Sequence, residues 1–184
     1  KWGRIFAPEE IGKYSGKIKN ICERIINSTG VVLVYSQYID GGILPISLAL
    51  EELGFTRAGT VRSLFKEPPT DKIDAITFKT KKDQAASMKF NPAKYVIITG
   101  DKGLSPDNLK DINMTTDPNN KNGEQVKVVL ISLAGSEGLD LKYIRQVHVL
   151  DPWYNMNRIE QIIGRAVRTC SHKDLPFVKR NVEV

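Results

Sequence analysis

Cysteine is scarce in this chain of 184 residues: Cys22 and Cys170 are too few for a disulfide framework, which predicts a reducing compartment. Histidine is as rare. His148 sits in an apolar run and reads as a core side chain. Cys170 and His172 are two metal-capable groups without a second pair, so a zinc site is not expected. No apolar stretch approaches the roughly 20 residues that span a bilayer, which excludes a transmembrane helix. There is no G-x-x-x-x-G-K-[ST] phosphate loop, no D-E-x-x box and no G-x-G-x-x-G after a first strand. The Gly-rich "TGDKGLS" has the wrong spacing, and its lysine precedes the second glycine. Alone, the chain is expected to bind nucleotide weakly and hydrolyse essentially none. Residue 1 is Lys, no leader-like segment precedes a cleavage-like site, and the last residues, "FVKRNVEV", read as the start of another strand. These features predict a piece of a longer protein.

What is present is ordinary in bulk. Twenty-seven Lys and Arg against 21 Asp and Glu leave +6, which suits a polyanionic partner without identifying one. Ser15 is placed to cap a helix reaching about Thr29 and ended by Gly30, with Ile18, Ile21, Cys22, Ile25 and Ile26 as its buried stripe. "VVLVYS" (31–36), "KYVIIT" (94–99), "VKVVLIS" and "QVHVL" are continuous apolar runs, as expected of strands covered on both faces. "ILPISLALEELG" reads as a helix with Pro45 in its first turn, and "SPDNLKDIN" as one capped by Ser105 with Pro106 at the first position. "TTDPNNKNGEQ" reads as a mobile polar loop. Residues 55–92, with a short strand at "FTRA", read as an excursion from the main sheet, either a surface insertion or an element touching nucleic acid or a partner. Strand–helix alternation with apolar strands predicts a single α/β domain over 1–184, three-layered, with a mainly parallel sheet and helices on both faces.

In such sheets function collects in the loops after the carboxyl ends of the strands. Here these are "YSQ" (35–37), "SLAGSEGLDL" (132–141) and "LDPWYN" (150–155). In the second, Gly135 and Gly138, with Ser132 and Ser136, would let backbone N–H groups approach an anion, and Asp140 could take a ribose hydroxyl or orient an arginine. Taken alone the loop is equally a Gly/Ser turn. The third leads into "QIIGRAVR" (161–168), where helical spacing puts Gln161, Arg165 and Arg168 on one face, with Ile159, Ile163 and Ala166 opposite. Taken alone that is a solvated basic face. Trp153 reads as a packing anchor, or as an aromatic that could stack on a base.

Together, in this order, the three loops resemble motifs IV, V and VI of the second RecA-like lobe of superfamily 2 helicases and translocases. "QIIGRAVR" matches the Q-x-x-G-R-x-x-R form of motif VI, and "ITGD" (98–101) occupies the place of an intermediate motif. "DPWYN" and the opening helix "YSGKIKNICERI" resemble the chromatin-remodeller branch. The string from "GSEGLDL" to "GRAVRTCSHKDLPF" looks closest to helicases and transcription ATPases of large cytoplasmic DNA viruses of the poxvirus, asfarvirus and mimivirus kind.

The resemblance implies a division of labour. ATP with Mg2+ would sit between this lobe and an N-terminal lobe that carries the phosphate loop and the acids. This lobe would supply Arg168 as an arginine finger, Arg165 as a second phosphate contact and Gln161 as a γ-phosphate sensor. Gly138 and Asp140 would lie by the nucleotide, and Gly164 would let its helix approach a neighbour closely. Ser36, Gln37, Thr99, Gly100, Ser132 and Ala134 lie where the family meets the nucleic-acid backbone, DNA being expected over RNA. Viral transcription machinery is an implied partner, and virion and host cytoplasm the implied location. Two other readings stay open. One is a nucleic-acid-binding or assembly module of a transcription complex without motor activity, and the other an unrelated doubly wound nucleotide-binding domain, which leaves the arginine face unexplained.

Overall fold

The computed structural model describes residues 3–59, 62–136 and 138–184, with only the backbone of residue 136. Five parallel strands form its sheet: β1 (Val31–Tyr35), β2 (Thr56–Arg57), β3 (Lys94–Ile98), β4 (Val128–Ile131) and β5 (Ile144–Val149). Their order is β2-β3-β4-β1-β5, with β1 between β4 and β5. The apolar runs become strands for the reason their composition suggests. β1 and β4 are buried along their whole length, and Val, Ile and Leu there face helices on either side.

Strand alternation divides the core into two layers. Val32, Val34, Tyr95, Ile97, Val128 and Leu130 point into one, with Ile18, Ile21 and Ile25 of α2 (Gly16–Ile25) and Ile46, Ala49 and Leu50 of α3 (Leu44–Glu52). Val31, Leu33, Tyr35, Val96, Ile98, Val129 and Ile131 point into the other. Ile112 and Met114 of α4 (Asn108–Thr116) and Ile162 and Ala166 of α6 (Met156–Ala166) meet them there. Two further α-helices, α1 (Ile11–Tyr14) and α5 (Leu133–Ser136), are single turns. The fold is the three-layer RecA-like α/β arrangement.

Local signals behave with instructive exceptions. Ser15 caps α2 by accepting from Ile18 N, but α2 ends at Ile25, short of Thr29, and Gly30 (φ +74°) turns the chain into β1. α4 starts two residues later than Pro106 suggests, and its cap is Asp107, accepting from Lys110 N. Ser105 is spent elsewhere: its buried Oγ accepts from Thr99 N at 3.0 Å and lies 2.8 Å from Thr99 Oγ1. The polar loop 117–126 is tied down rather than loose. Asn120, fully buried, accepts from Gln125 N and Val126 N and donates to the carbonyls of Thr115 and Val126.

Residues 56–57 form the sheet's edge strand, β2, and among the described residues none between them and Lys94 belongs to a further strand of the sheet. Glu51 anchors the outgoing limb. Its carboxylate, 1% exposed, accepts from Ser63 Oγ, Leu64 N, Phe65 N and Tyr95 OH. Asp74 anchors the return, accepting from the amides of Ile76, Thr77 and Asn91. Burial opposes ionisation of Asp74, but those three N–H donors hold it below the usual carboxylate range. Thr60 and Val61 lie outside the described residues.

Candidate nucleotide and nucleic-acid site

Parallel strands deliver all their following loops to one edge. The loops after β1, β3, β4 and β5 gather there, and specific bonds fix them to one another. Gln37 N donates to Asp151 Oδ2 at 2.8 Å, joining the loop after β1 to the loop after β5. Lys17 Nζ, on α2, donates to Leu150 O at 2.8 Å and braces the same loop. Gly100, after β3, stands against Ala134, after β4, so closely that a Cβ on Gly100 would come within 2.9 Å of the Ala134 Cβ.

The arginine helix α6 begins at Asn155, whose side chain caps it by accepting from Asn157 N. It is bound to the sheet by Ile162 and Ala166, with Ile159 and Ile163 half-buried beside them. The helix ends at Ala166, and Val167 (φ −108°, ψ 43°) has left helical geometry. Arg168 therefore does not continue the face of Gln161 and Arg165, as uninterrupted helical spacing predicts. It is carried by the turn beyond the helix. Both arginines nevertheless reach the same segment: Arg165 Nη1 donates to Leu139 O at 3.4 Å, and Arg168 Nη1 pairs with Asp140 Oδ1 at 3.3 Å. Gln161 is exposed on α6. Arg168 and Asp140 are both open to solvent, at 45% and 64%, so their pair is a weak one that a stronger anion can displace.

Gly138 has φ +70° and nothing within 4 Å of a built Cβ, leaving its backbone open beside the arginines. Gly135 has a different role from the anion approach expected of it. It is buried, and a side chain there would collide with the carbonyl of Ile98 at the end of β3. No described atom of this chain lies within 4 Å of a Cβ added to Gly164, which leaves that position of α6 open. Glu137, inside the same motif, lies outside the described residues.

The six residues expected along a nucleic-acid backbone divide into rim and support. Gln37, Gly100 and Ala134 are at least partly exposed. Ser36, Thr99 and Ser132 are buried at 0%, 1% and 4%, and their side chains are used internally: Ser36 Oγ with the backbone of Tyr38, Thr99 Oγ1 with Ser105 and Asp101, Ser132 Oγ with Gly135 N. In this arrangement those three side chains shape the loops, and Gln37, Gly100 and Ala134 are the ones left open to solvent.

Asp151 carries more of the site than its sequence context suggested. Its Oδ2 holds the loop after β1, and its Oδ1 is buried without a hydrogen-bond partner, as is Tyr35 OH. The phenol of Tyr35 is raised above its ordinary pKa, mainly by burial. The signal for Asp151 was its place in "LDPWYN", directly after a buried strand. Trp153 is neither fully buried nor free: Arg158 lies 4.5 Å over its ring and Tyr154 packs at 4.9 Å. His148 is half-buried, not a core side chain, and burial lowers its pKa. His172 is the buried one, with Nε2 2.6 Å from Ile144 O. Among the described residues no group of three or more His, Cys, Asp and Glu converges as metal ligands, and no helix is long and apolar enough to cross a membrane.

An all-parallel sheet whose carboxyl edge carries two arginines, one from its last α-helix and one from the turn beyond it, held against the loop of a neighbouring strand, defines a RecA-like lobe of the helicase type. The family model described as the helicase conserved C-terminal domain matches residues 60–170, and the chain belongs to that family. Curated relatives agree. The chain is 32% identical over 177 residues to the "Termination factor NPH-I homolog" of African swine fever virus (isolate Tick/Malawi/Lil 20-1/1983), covering 92% of this chain and 25% of that protein. It is 30% identical over 177 residues to an Acanthamoeba polyphaga mimivirus protein bearing an ATP-dependent RNA helicase name, covering 95% and 26%. A shorter match, 49% over 63 residues, reaches the "Nucleoside triphosphatase I" of Amsacta moorei entomopoxvirus, with 34% of this chain and 10% of that one. The chain spans about a quarter of the length of the two relatives it matches throughout.

Proposed function

We propose that this chain is the second motor lobe of an ATP-dependent superfamily 2 helicase or translocase. ATP, the substrate, binds between it and a first lobe that carries the phosphate loop and holds Mg2+. The observation that carries this reading is the pair of guanidiniums, Arg165 and Arg168, turned to the segment Leu139–Asp140 at the sheet's carboxyl edge. The residues present suit part of a nucleotide site. They offer positive charge and the open backbone of Gly138, without a phosphate cradle. Arg168 acts as the finger on the γ-phosphate, exchanging Asp140 for the transferring group. Arg165 makes a second phosphate contact, and Gln161 senses nucleotide from the exposed face of α6. Phosphoryl transfer is accelerated mainly by such charge placement, and a finger contributes roughly 10³ to 10⁵ in rate. That the relatives are several times longer, and are named helicase and triphosphatase, supports a missing partner lobe.

Nucleic acid runs over the rim formed by Gln37, Gly100 and Ala134. Backbone contact there reads phosphates and not bases, so sequence preference is slight and salt sensitivity strong. The track we favour is DNA and the setting viral transcription, in the virion and host cytoplasm, in keeping with the termination-factor name of the asfarvirus relative. An assembly module without motor activity has no use for an exposed and a half-buried arginine beside an open glycine. The test is ATP hydrolysis by the full-length protein with single-stranded DNA, duplex DNA and RNA. Stimulation by one of them identifies the motor and its track, and no hydrolysis with any of them transfers the lobe to the assembly reading.

A further inference from the structure

The opposite edge of the sheet holds a feature the motor reading does not use. Lys127 immediately precedes β4, at a position only 1% exposed. No carboxylate among the described residues forms an ion pair with it. Its one close charge-related partner is the ring of Phe78, 5.0 Å from Nζ to centroid. Glu124, the nearest acid in sequence, is occupied by the amide and side chain of Asn122, at 3.0 and 2.8 Å. A buried cation without an anion costs several kcal/mol, and the usual resolutions are loss of the proton or a bound counter-charge.

Lys127 lines a half-open cavity of about 360 Å3, together with Arg145, Lys179, Glu124, Asn122 and Gly30. Three basic residues and one acidic residue line that space. Its walls are set closely. Gly123 (φ +85°) passes so near that a Cβ would lie 2.9 Å from both Gly30 O and Lys127 Cδ, and a Cβ on Gly30 (φ +74°) would collide with the Arg145 side chain. We infer that this cavity is an anion site for phosphate or a small phosphate monoester, with Lys127 as its buried charge and Arg145 and Lys179 at its mouth. The volume lies at the small end of ligand pockets and suits a compact ligand. Burial drives the Lys127 ammonium down to about 8, Glu124 opposing and Arg145 adding to the shift, so the charge is available near neutral pH. The site faces away from the arginine edge and is independent of the motor assignment.

The test is titration of the 15N-labelled protein with inorganic phosphate at constant ionic strength, followed on the amides of Gly30, Asn122 and Lys127, with adenosine monophosphate as a second arm. The expected result is saturable shifts, weakened about tenfold or more in Lys127→Gln, within the worth of one charge-assisted hydrogen bond. Lys179→Gln, an exposed change that keeps the test decisive should Lys127→Gln fail to fold, weakens binding severalfold. Tighter binding of the monophosphate identifies an ester ligand, and equal or weaker binding identifies free phosphate. Shifts that never saturate, or identical curves in wild type and Lys179→Gln, overturn the site.

Discussion

The two edges of one sheet treat positive charge in opposite ways. At the carboxyl edge, Arg165 and Arg168 stand in or near solvent on long single contacts of 3.4 and 3.3 Å. At the amino edge, Lys127 is packed beside the close turn at Gly123, on the wall of the cavity, and the loop before it is locked by four hydrogen bonds to Asn120. A charge that must meet a group arriving on another lobe is best left weakly held. A charge that must stay put is fixed by packing. On the proposed function, the contrast separates a site that would work by exchange of partners from one built in advance.

The comparison breaks first at Arg168. In the full-length protein Arg168→Ala is expected to lower ATP turnover at least ~100-fold while leaving nucleic-acid binding nearly intact. Turnover at the wild-type rate ends the finger assignment. Next comes Asn120→Ala at the amino edge, which takes their Asn120 partner from one buried and one part-buried amide and from two buried carbonyls. A loss of about 2–4 kcal/mol is expected in denaturant unfolding, and a change under about 0.5 kcal/mol would mean the loop is not locked.

Lys127→Met sharpens the same side through pH. Its folded-state pKa, about 8, lies below the unfolded value of 10.5. The unfolded chain therefore binds more protons between these values, and wild-type stability rises with pH across that window. In phosphate-free buffer the variant should be more stable than wild type at pH 7, by about 1–3 kcal/mol. The gap should close above about pH 10.5, and a gap independent of pH would assign the effect to packing alone. The smallest effect is expected from Asp140→Ala. Removing one partner of an exposed ion pair should change stability by less than about 0.5 kcal/mol, and a larger loss would show that Arg168 is not free to move.

The strands, α2, α3 and α6 were legible because uninterrupted apolar runs and caps such as Ser15 act locally. The arginines were legible as a pair for the same reason. What escaped depended on partners distant in sequence. Ser105 looked like a cap, but its hydroxyl is consumed by Thr99. Arg168 looked helical because spacing carries no information on where a helix stops, and the Val167 turn removes it from the face. Ser36, Thr99 and Ser132 looked available because polarity does not reveal burial. Nothing in the sequence marks Lys127 and Glu51 as buried, since a single charge beside an apolar run ordinarily lies at the surface.

The placement of β1 also sets a schedule for synthesis. Val31 pairs with Ile144 and Val32 with Val128, so a strand made early finds its neighbours only when the last third of the chain has emerged. At the usual pace of translation that is a wait on the order of 5–20 s. Throughout it a fully apolar segment has no edge to join. A nascent chain of this topology is therefore a natural client for a chaperone that shields "VVLVY" until β4 and β5 arrive.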